Sequence, residues 1–208
     1  MALWTCATCG AQFPDSVNPP TACPICEDER QFVGWSGQAF LTREELARKH
    51  RLVGRDDLGL TGIGMEPSFA IGQRALLVPD GDGCVMWDCI PLATDEAIQH
   101  VAALGGLLRT GGHFAGATVL HYARGADGKG ALLTGDIAQV TMDRRFVSFM
   151  YSYPNYMPLN AAAVRRIASV VEPLAFDRVY GAWWGRNIAS GAKAAFAASV
   201  ARYLAAIA

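Results

Sequence analysis

From residue 69 onward the chain alternates short apolar runs with breaks rich in glycine, proline and aspartate, the pattern of strands joined by tight turns. Phe69 to Val78 and Cys84 to Ile90 flank Pro79-Asp80-Gly81-Asp82-Gly83 and predict a β-hairpin. Thr94 caps a helix with Asp95 and Glu96 in its first turn and Ile98, Val101 and Ala102 on its apolar stripe. Two further runs, His113 to Leu120 and Ala131 to Asp136, each adjoin a glycine turn that presents one metal-type ligand. They predict neighbouring strands that aim His113 and Asp136 at one cleft.

The stretch Arg144 to Tyr156 is dense in aromatics. It fits a core strand followed by a proline turn, and also a cleft wall that offers tyrosine hydroxyls to a polar substrate. Pro158 and Asn160 precede a helix whose Val164, Ile167, Ala168 and Val171 share a face, ended by Pro173. Phe176 to Trp184 is a buried-type strand. Ser190 opens a final helix that packs through Phe196, Val200, Tyr203, Leu204 and Ile207.

Upstream, Thr42-Arg43-Glu44-Glu45 has the spacing of a capping box and opens a helix to about His50. Residues 36 to 41 read as a linker. Arg51 to Gly64 is charged, then glycine-rich, without a sustained period, and reads as a surface connection.

The N-terminal segment differs in kind. Cys6-Ala7-Thr8-Cys9 and Cys23-Pro24-Ile25-Cys26 are two knuckles separated by thirteen residues, each able to turn two thiolates towards one ion. With Pro14, Pro19 and Pro20 between them, so short a segment supplies little apolar core, and metal binding would provide much of its folding free energy. Zinc and iron both suit four thiolates. Cys84 and Cys89 stand outside this pattern and read as inert buried thiols.

Composition adds bounds. In 208 residues, 51% hydrophobic and 18% charged content suits one main domain with a small appendage. A formal charge of −1 without a basic run excludes the electrostatic footprint of a nucleic-acid binder. No apolar run approaches the ~20 residues of a membrane span, and no secretory leader pattern opens the chain, so a cytoplasmic protein without a membrane partner is expected.

Gly111-Gly112-His113-Phe114-Ala115-Gly116-Ala117 and Thr134-Gly135-Asp136, with the hairpin before them and the elements after them, resemble the third-histidine and bridging-aspartate motifs of metallo-β-lactamase-fold hydrolases. The resemblance covers most of residues 60 to 208. Trp4, the two knuckles and Phe32 resemble the rubredoxin-like domain of rubrerythrins and, more loosely, zinc ribbons. Together these imply an α/β chain: a truncated metallo-β-lactamase-type αββα sandwich preceded by a small four-cysteine metal-knuckle domain. The divisions would be a knuckle domain at 1 to 35, a linker with a short helix at 36 to 60, and the hydrolase-like domain at 61 to 208. In that family the hairpin's second strand ends in an aspartate near the metals, where Asp88 stands; capping its own loop is the alternative.

The family's His-x-His-x-Asp-His cluster is absent from this sequence. The flanks that should enclose it abut near residues 105 to 110, as after an internal deletion. Where the family carries a last histidine, the chain reads Trp183-Trp184-Gly185-Arg186. His113 and Asp136 alone match family ligand positions, whereas catalytic zinc generally needs three protein ligands. His121, eight residues from His113, would lie roughly 26 Å away along a strand at ~3.3 Å per residue, and His50 and His100 fall on predicted helices.

The resemblance therefore implies a metal-dependent hydrolase of small molecules with an incomplete site. Zinc or iron is expected on Cys6, Cys9, Cys23 and Cys26, and at most a weak divalent-metal site at His113 and Asp136. The alternatives are a four-cysteine binding or electron-transfer module on an α/β scaffold, or a non-functional deletion product. A sheet edge left open by the missing block would favour a homo-oligomer.

Overall fold

A computed structural model describes residues 1–92, 107–109 and 117–208. The helix expected from Thr94, together with His100 and His113, lies outside the described residues. The chain divides into two compact units, Met1–Ala102 and Ala103–Ala208. It is a mixed α/β protein, mostly sheet with few helices, with a four-cysteine cluster in the first unit.

In the first unit β1 (Trp4–Cys6) pairs antiparallel with β2 (Phe40–Thr42), Trp4 standing opposite Thr42. Residues 40 to 42 are thus a strand that closes the knuckle segment, not part of a linker. Thr42 also caps α1 (Arg43–Lys49): its hydroxyl accepts the Glu45 N–H at 3.2 Å, and the Glu45 carboxylate accepts the Thr42 N–H at 2.8 Å. This is the predicted capping box, and it seats Leu46 in a cluster with Met65, Phe69 and Leu92.

A four-stranded antiparallel meander follows in the order β3 (Arg51–Asp57), β4 (Leu60–Glu66), β5 (Ala75–Asp80), β6 (Gly83–Trp87). The stretch from Arg51 to Gly64, expected as a surface connection, is its first hairpin. The turn at Leu58 (φ 58°) and Gly59 (φ 88°) has both residues left-handed, the mirror-type turn that matches strand twist, and Asp56 accepts the Gly59 N–H at 3.2 Å. Strand β3 lies at the sheet edge and is mostly exposed, which is why it lacks an apolar alternation. The second hairpin stands where predicted but is tighter. Pro79 pairs with Cys84 inside the ladder, and only Gly81 and Asp82 form the turn. Residues 69 to 74 precede the strand rather than belong to it.

The second unit contains β7 (Leu107–Arg109), β8 (Thr118–Tyr122), β9 (Ala131–Gly135), a short hairpin of β10 (Gln139–Val140) with β11 (Val147–Ser148), and β12 (Met150–Ser152) paired with β13 (Met157–Pro158). Then come α2 (Ala161–Val171), β14 (Arg178–Gly181), β15 (Asn187–Ile188) and α3 (Ala192–Ala206). Five strands form one sheet in the order β15-β14-β9-β8-β7, in which β14 runs parallel to β9 and the other pairs are antiparallel. Gly130 (φ 85°) lets β9 start where a Cβ would overlap the Ala175 carbonyl, and its own carbonyl accepts the Asp177 N–H at 2.9 Å.

Both helices supply the faces their spacing predicts. Asn160 caps α2 by accepting the Ala163 N–H at 2.9 Å, and Val164, Ile167 and Val171 are buried with Leu132, Val179 and Phe149, each such side chain contributing about 1.5–3 kcal/mol. Helix α3 starts at Ala192, not Ser190. Its cap is Gly191, whose N–H is taken by the Asp177 carboxylate at 2.7 Å. Phe196 then meets Phe149 and Phe176 edge-on, at 5.7 and 6.1 Å between centroids. Among the described residues no helix is long and apolar enough to cross a membrane.

Candidate metal centre

Strand β1 ends in Cys6, and the chain turns at once through Gly10 (φ 80°), whose N–H returns to the Cys6 carbonyl at 3.0 Å. A Cβ on Gly10 would press on Pro91 at 3.1 Å. The second knuckle repeats the turn, with the Cys26 and Glu27 N–H groups both reaching the Cys23 carbonyl, at 2.9 and 3.0 Å. These two turns bring four sulfurs within 4.8 Å of one another. Cys6 and Cys23 are fully buried, Cys26 nearly so and Cys9 half-buried.

The spacing within the quartet suits a metal ion. Cys6 Sγ lies 3.7 Å from Cys26 Sγ, and Cys9 Sγ lies 3.7 Å from Cys23 Sγ. All four are free thiols, far beyond disulfide bonding distance. These two pairs share no atom, so they are opposite edges of a tetrahedron. An ion with metal–sulfur bonds of about 2.3 Å sets its ligands about 3.8 Å apart, which fits both edges.

Electrostatics point the same way. Burial works against charge on Cys6, but the N–H groups of Cys9 and Thr8 at its sulfur outweigh it and bring this thiol down to about 7. Gln38 adds a donor, its Nε2 at 3.0 Å from the same sulfur. A second charge is opposed: burial first, then the adjacent Cys6 sulfur, pushes Cys9 up to about 12 and Cys26 upward as well. Several thiolates in so small a buried space need a cation among them. Gln38 carries no sequence signal, because an amide twelve residues past the last knuckle belongs to no ligand pattern.

In the second unit Asp136 follows β9 directly, at the carboxyl end of the parallel pair, where Gly135 stands opposite Gly181. Ligands of sheets with parallel strands gather at such ends. Tyr153 lies beside it, its hydroxyl donating to the Asp136 backbone carbonyl at 2.6 Å and its ring edge-on to Trp183 at 6.4 Å. Burial, then the charge of Asp136, pushes the Tyr153 phenol upward, so it stays a donor. The aromatic stretch thus divides: Val147 and Phe149 enter the core, whereas Tyr153 covers the turn that carries Asp136. A groove of about 420 Å³ is lined by Met142, Phe146, Ser199, Arg202 and Tyr203 among others.

The remaining candidates are held locally. His121 meets the Ala175 carbonyl through Nε2 at 2.8 Å, and His50 meets the Pro67 carbonyl through Nδ1 at 2.8 Å with its ring edge-on to Phe69. The Asp88 carboxylate accepts the N–H of Cys89 at 2.8 Å, a loop-capping bond. The expectation of two inert buried thiols fails for Cys89, which is exposed, and Cys84 is only half-buried. Cys84 stands opposite Pro79 near the start of β6, whereas Cys89 follows Trp87, the last residue of the strand, and lies beyond the ladder with β5.

No protein-family model matches the chain, and no solved structure matches it. Among curated proteins, the uncharacterized protein YmaE of Bacillus subtilis (strain 168) is 34% identical over 268 residues, a match that takes in 100% of this chain and 97% of the relative. Since this chain has 208 residues, 60 of those 268 positions are filled by the relative alone.

Proposed function

The chain belongs to the family of Bacillus subtilis YmaE, and on that premise we propose that its first unit is a metal-binding module holding one zinc or iron ion on Cys6, Cys9, Cys23 and Cys26. The observation that carries this reading is the thiol quartet with two opposite edges of 3.7 Å. Such an ion would tie β1 and the second knuckle together and contribute most of the stability of residues 1 to 35. The test is metal content per folded chain, by elemental analysis of the full protein and of Cys23→Ser. One ion in the first and none in the second is expected. A wild-type chain that folds without metal overturns the reading, and a coloured, reversibly reducible protein selects iron over zinc.

A second reading concerns the other unit: a hydrolase-type α/β domain of metallo-β-lactamase ancestry that is catalytically silent in this chain. It is supported by the placement of Asp136 at the carboxyl end of a parallel strand pair beneath Tyr153, and by the 60 positions that only the relative fills. That number of positions is comparable to a lost His-x-His-x-Asp-His segment with its strands and helices, wherever along the alignment they fall. One imidazole and one carboxylate leave an ion mostly coordinated by water, with nothing to orient a hydroxide for attack. Esters, thioesters, lactams and phosphoesters should therefore all survive the chain under excess Zn²⁺ or Mn²⁺. Turnover that disappears in His113→Ala would overturn the silence. The same assay on YmaE, with the additional residues in place, tests the ancestry. Self-association is a further expectation, because β7 ends its sheet among the described residues; light scattering of the purified chain measures it.

A further inference from the structure

Among the described residues two buried side-chain polar atoms have no hydrogen-bond partner, Gln73 Oε1 and Trp87 Nε1, and both belong to the end of the meander where Cys89 is exposed. Gln73 is 7% exposed and directly follows the turn formed by Ala70 (φ 53°) and Gly72 (φ 70°). Its Nε2 donates to Cys89 Sγ at 3.6 Å. Asp88, with φ 71°, makes this possible: its left-handed backbone swings Cys89 out of line with β6, and its carboxylate fixes the following N–H. An exposed thiol is therefore docked against a buried amide head whose oxygen lacks a donor.

We infer that Cys89 is an oxidation site, taking one oxygen from hydrogen peroxide to become a sulfenic acid that the Gln73 amide holds. In this step the Cys89 sulfur attacks one peroxide oxygen, forming the S–O bond and breaking the O–O bond. The sulfur gives up two electrons, the leaving hydroxide takes the thiol proton, and water departs. The product S–O–H carries one donor where the thiol had only a weak one. An O–H one bond beyond the sulfur meets the amide oxygen, while the amide N–H continues to serve the sulfur or the new oxygen. A buried amide oxygen without a donor is costly, so the site stabilises the oxidised form over the reduced one. Cys84, half-buried at the other end of β6, is an internal comparison, and the knuckle thiols are set apart by their mutual packing.

The experiment uses the full, metal-loaded chain, treated with dilute hydrogen peroxide, trapped with dimedone and mapped by peptide mass spectrometry. Cys89 should carry most of the adduct. Equal labelling of Cys84, or no adduct on Cys89, overturns the inference. Delaying dimedone after peroxide removal reads the lifetime of the sulfenic acid, which Gln73→Leu should shorten by about fivefold, the factor of one ordinary hydrogen bond of ~1 kcal/mol. An unchanged lifetime in a folded Gln73→Leu chain also overturns it. Should that variant fail to fold, the wild-type chain in urea serves instead. The preference for Cys89 over Cys84 must vanish on unfolding, and a preference that persists belongs to the local sequence and not to the site.

Discussion

Arg74 donates its Nε to an Asp57 carboxylate oxygen at 2.7 Å, with the arginine side chain fully buried and the aspartate side chain 6% exposed. The pair joins the end of β3 to the residue that leads into β5, spanning the strand between them. Breaking one side strands a charge in the interior. Asp57→Ala should destabilise the first unit by ~3–5 kcal/mol, whereas the double change Asp57→Leu with Arg74→Met should recover much of that loss. Urea unfolding of the two variants checks this, and a double variant no better than the single one would show that the pair's wider hydrogen bonding matters more than its charge.

Removal of the proposed knuckle ion should act on a very small apolar core. Three of the cysteines are themselves its buried members, with only Phe13, Val33, Phe40 and a few smaller contacts around them. A strong chelator should therefore open residues 1 to 35 to trypsin at Arg30 while α2 and α3 keep their protection in amide exchange. Equal protection with and without chelator would mean that the apolar contacts suffice.

Lys193, in the first turn of α3, places its ammonium on the carbonyls of Val171, Glu172 and Leu174, at 3.3 Å for the first and 2.8 Å for the last. These carbonyls lie at and just past the end of α2, where a cation is favoured by the helix dipole; that of Val171 also accepts the Leu174 N–H at 3.1 Å. The same ammonium lies 5.2 Å from the Phe176 ring centroid. Lys193→Met keeps the stem and loses the bonds, and should cost about 1–2 kcal/mol in thermal or urea unfolding.

Glu66 sits between Arg51 and Arg55, at 2.7 and 2.6 Å, and these guanidinium groups hold its carboxyl below its ordinary value of 4.5. A lowered folded value means that the ionised form stabilises the fold. The contribution is complete above the ordinary value and is lost as pH falls through the lowered one. The stability difference between wild type and Glu66→Gln should therefore be flat from about pH 6 to 5 and narrow below about pH 4.5. Raised salt should shrink it at every pH, since the group is exposed.

The parts of the fold legible in the sequence are those specified by neighbours in the chain. Thr42 and Glu45 are three residues apart and satisfy each other, so the start of α1 follows from spacing alone. The knuckles are likewise local, and four cysteines in two close pairs leave few other chemistries. Strand β3 has no sequence signature, because Arg51, Arg55 and Asp56 face solvent at an edge and because Leu58 takes the left-handed turn position that asparagine usually marks. The burial of Arg74 depends on a partner seventeen residues away, and the exposure of Cys89 depends on the left-handed backbone of Asp88. Neither condition has a period or a motif. At the candidate site Asp136 stands at a strand end as its glycine turn implied, but the tyrosine that covers it was only one aromatic among several.

The two larger sheets also differ in when they can exist. Every pairing of the β3-to-β6 meander joins strands that follow one another, so each ladder can close as soon as its second strand leaves the ribosome. The β9 ladder cannot, because its parallel partner β14 begins at Arg178, opposite Ala131, and the whole of β10 to α2 must be made first. During that interval β9, among the most apolar strands of the protein with Ala131, Leu132 and Leu133 in its core, has one bare edge. A ribosome that pauses within α2 would leave that edge open to another nascent chain, so synthesis rate over residues 136 to 178 should govern the soluble yield of the protein.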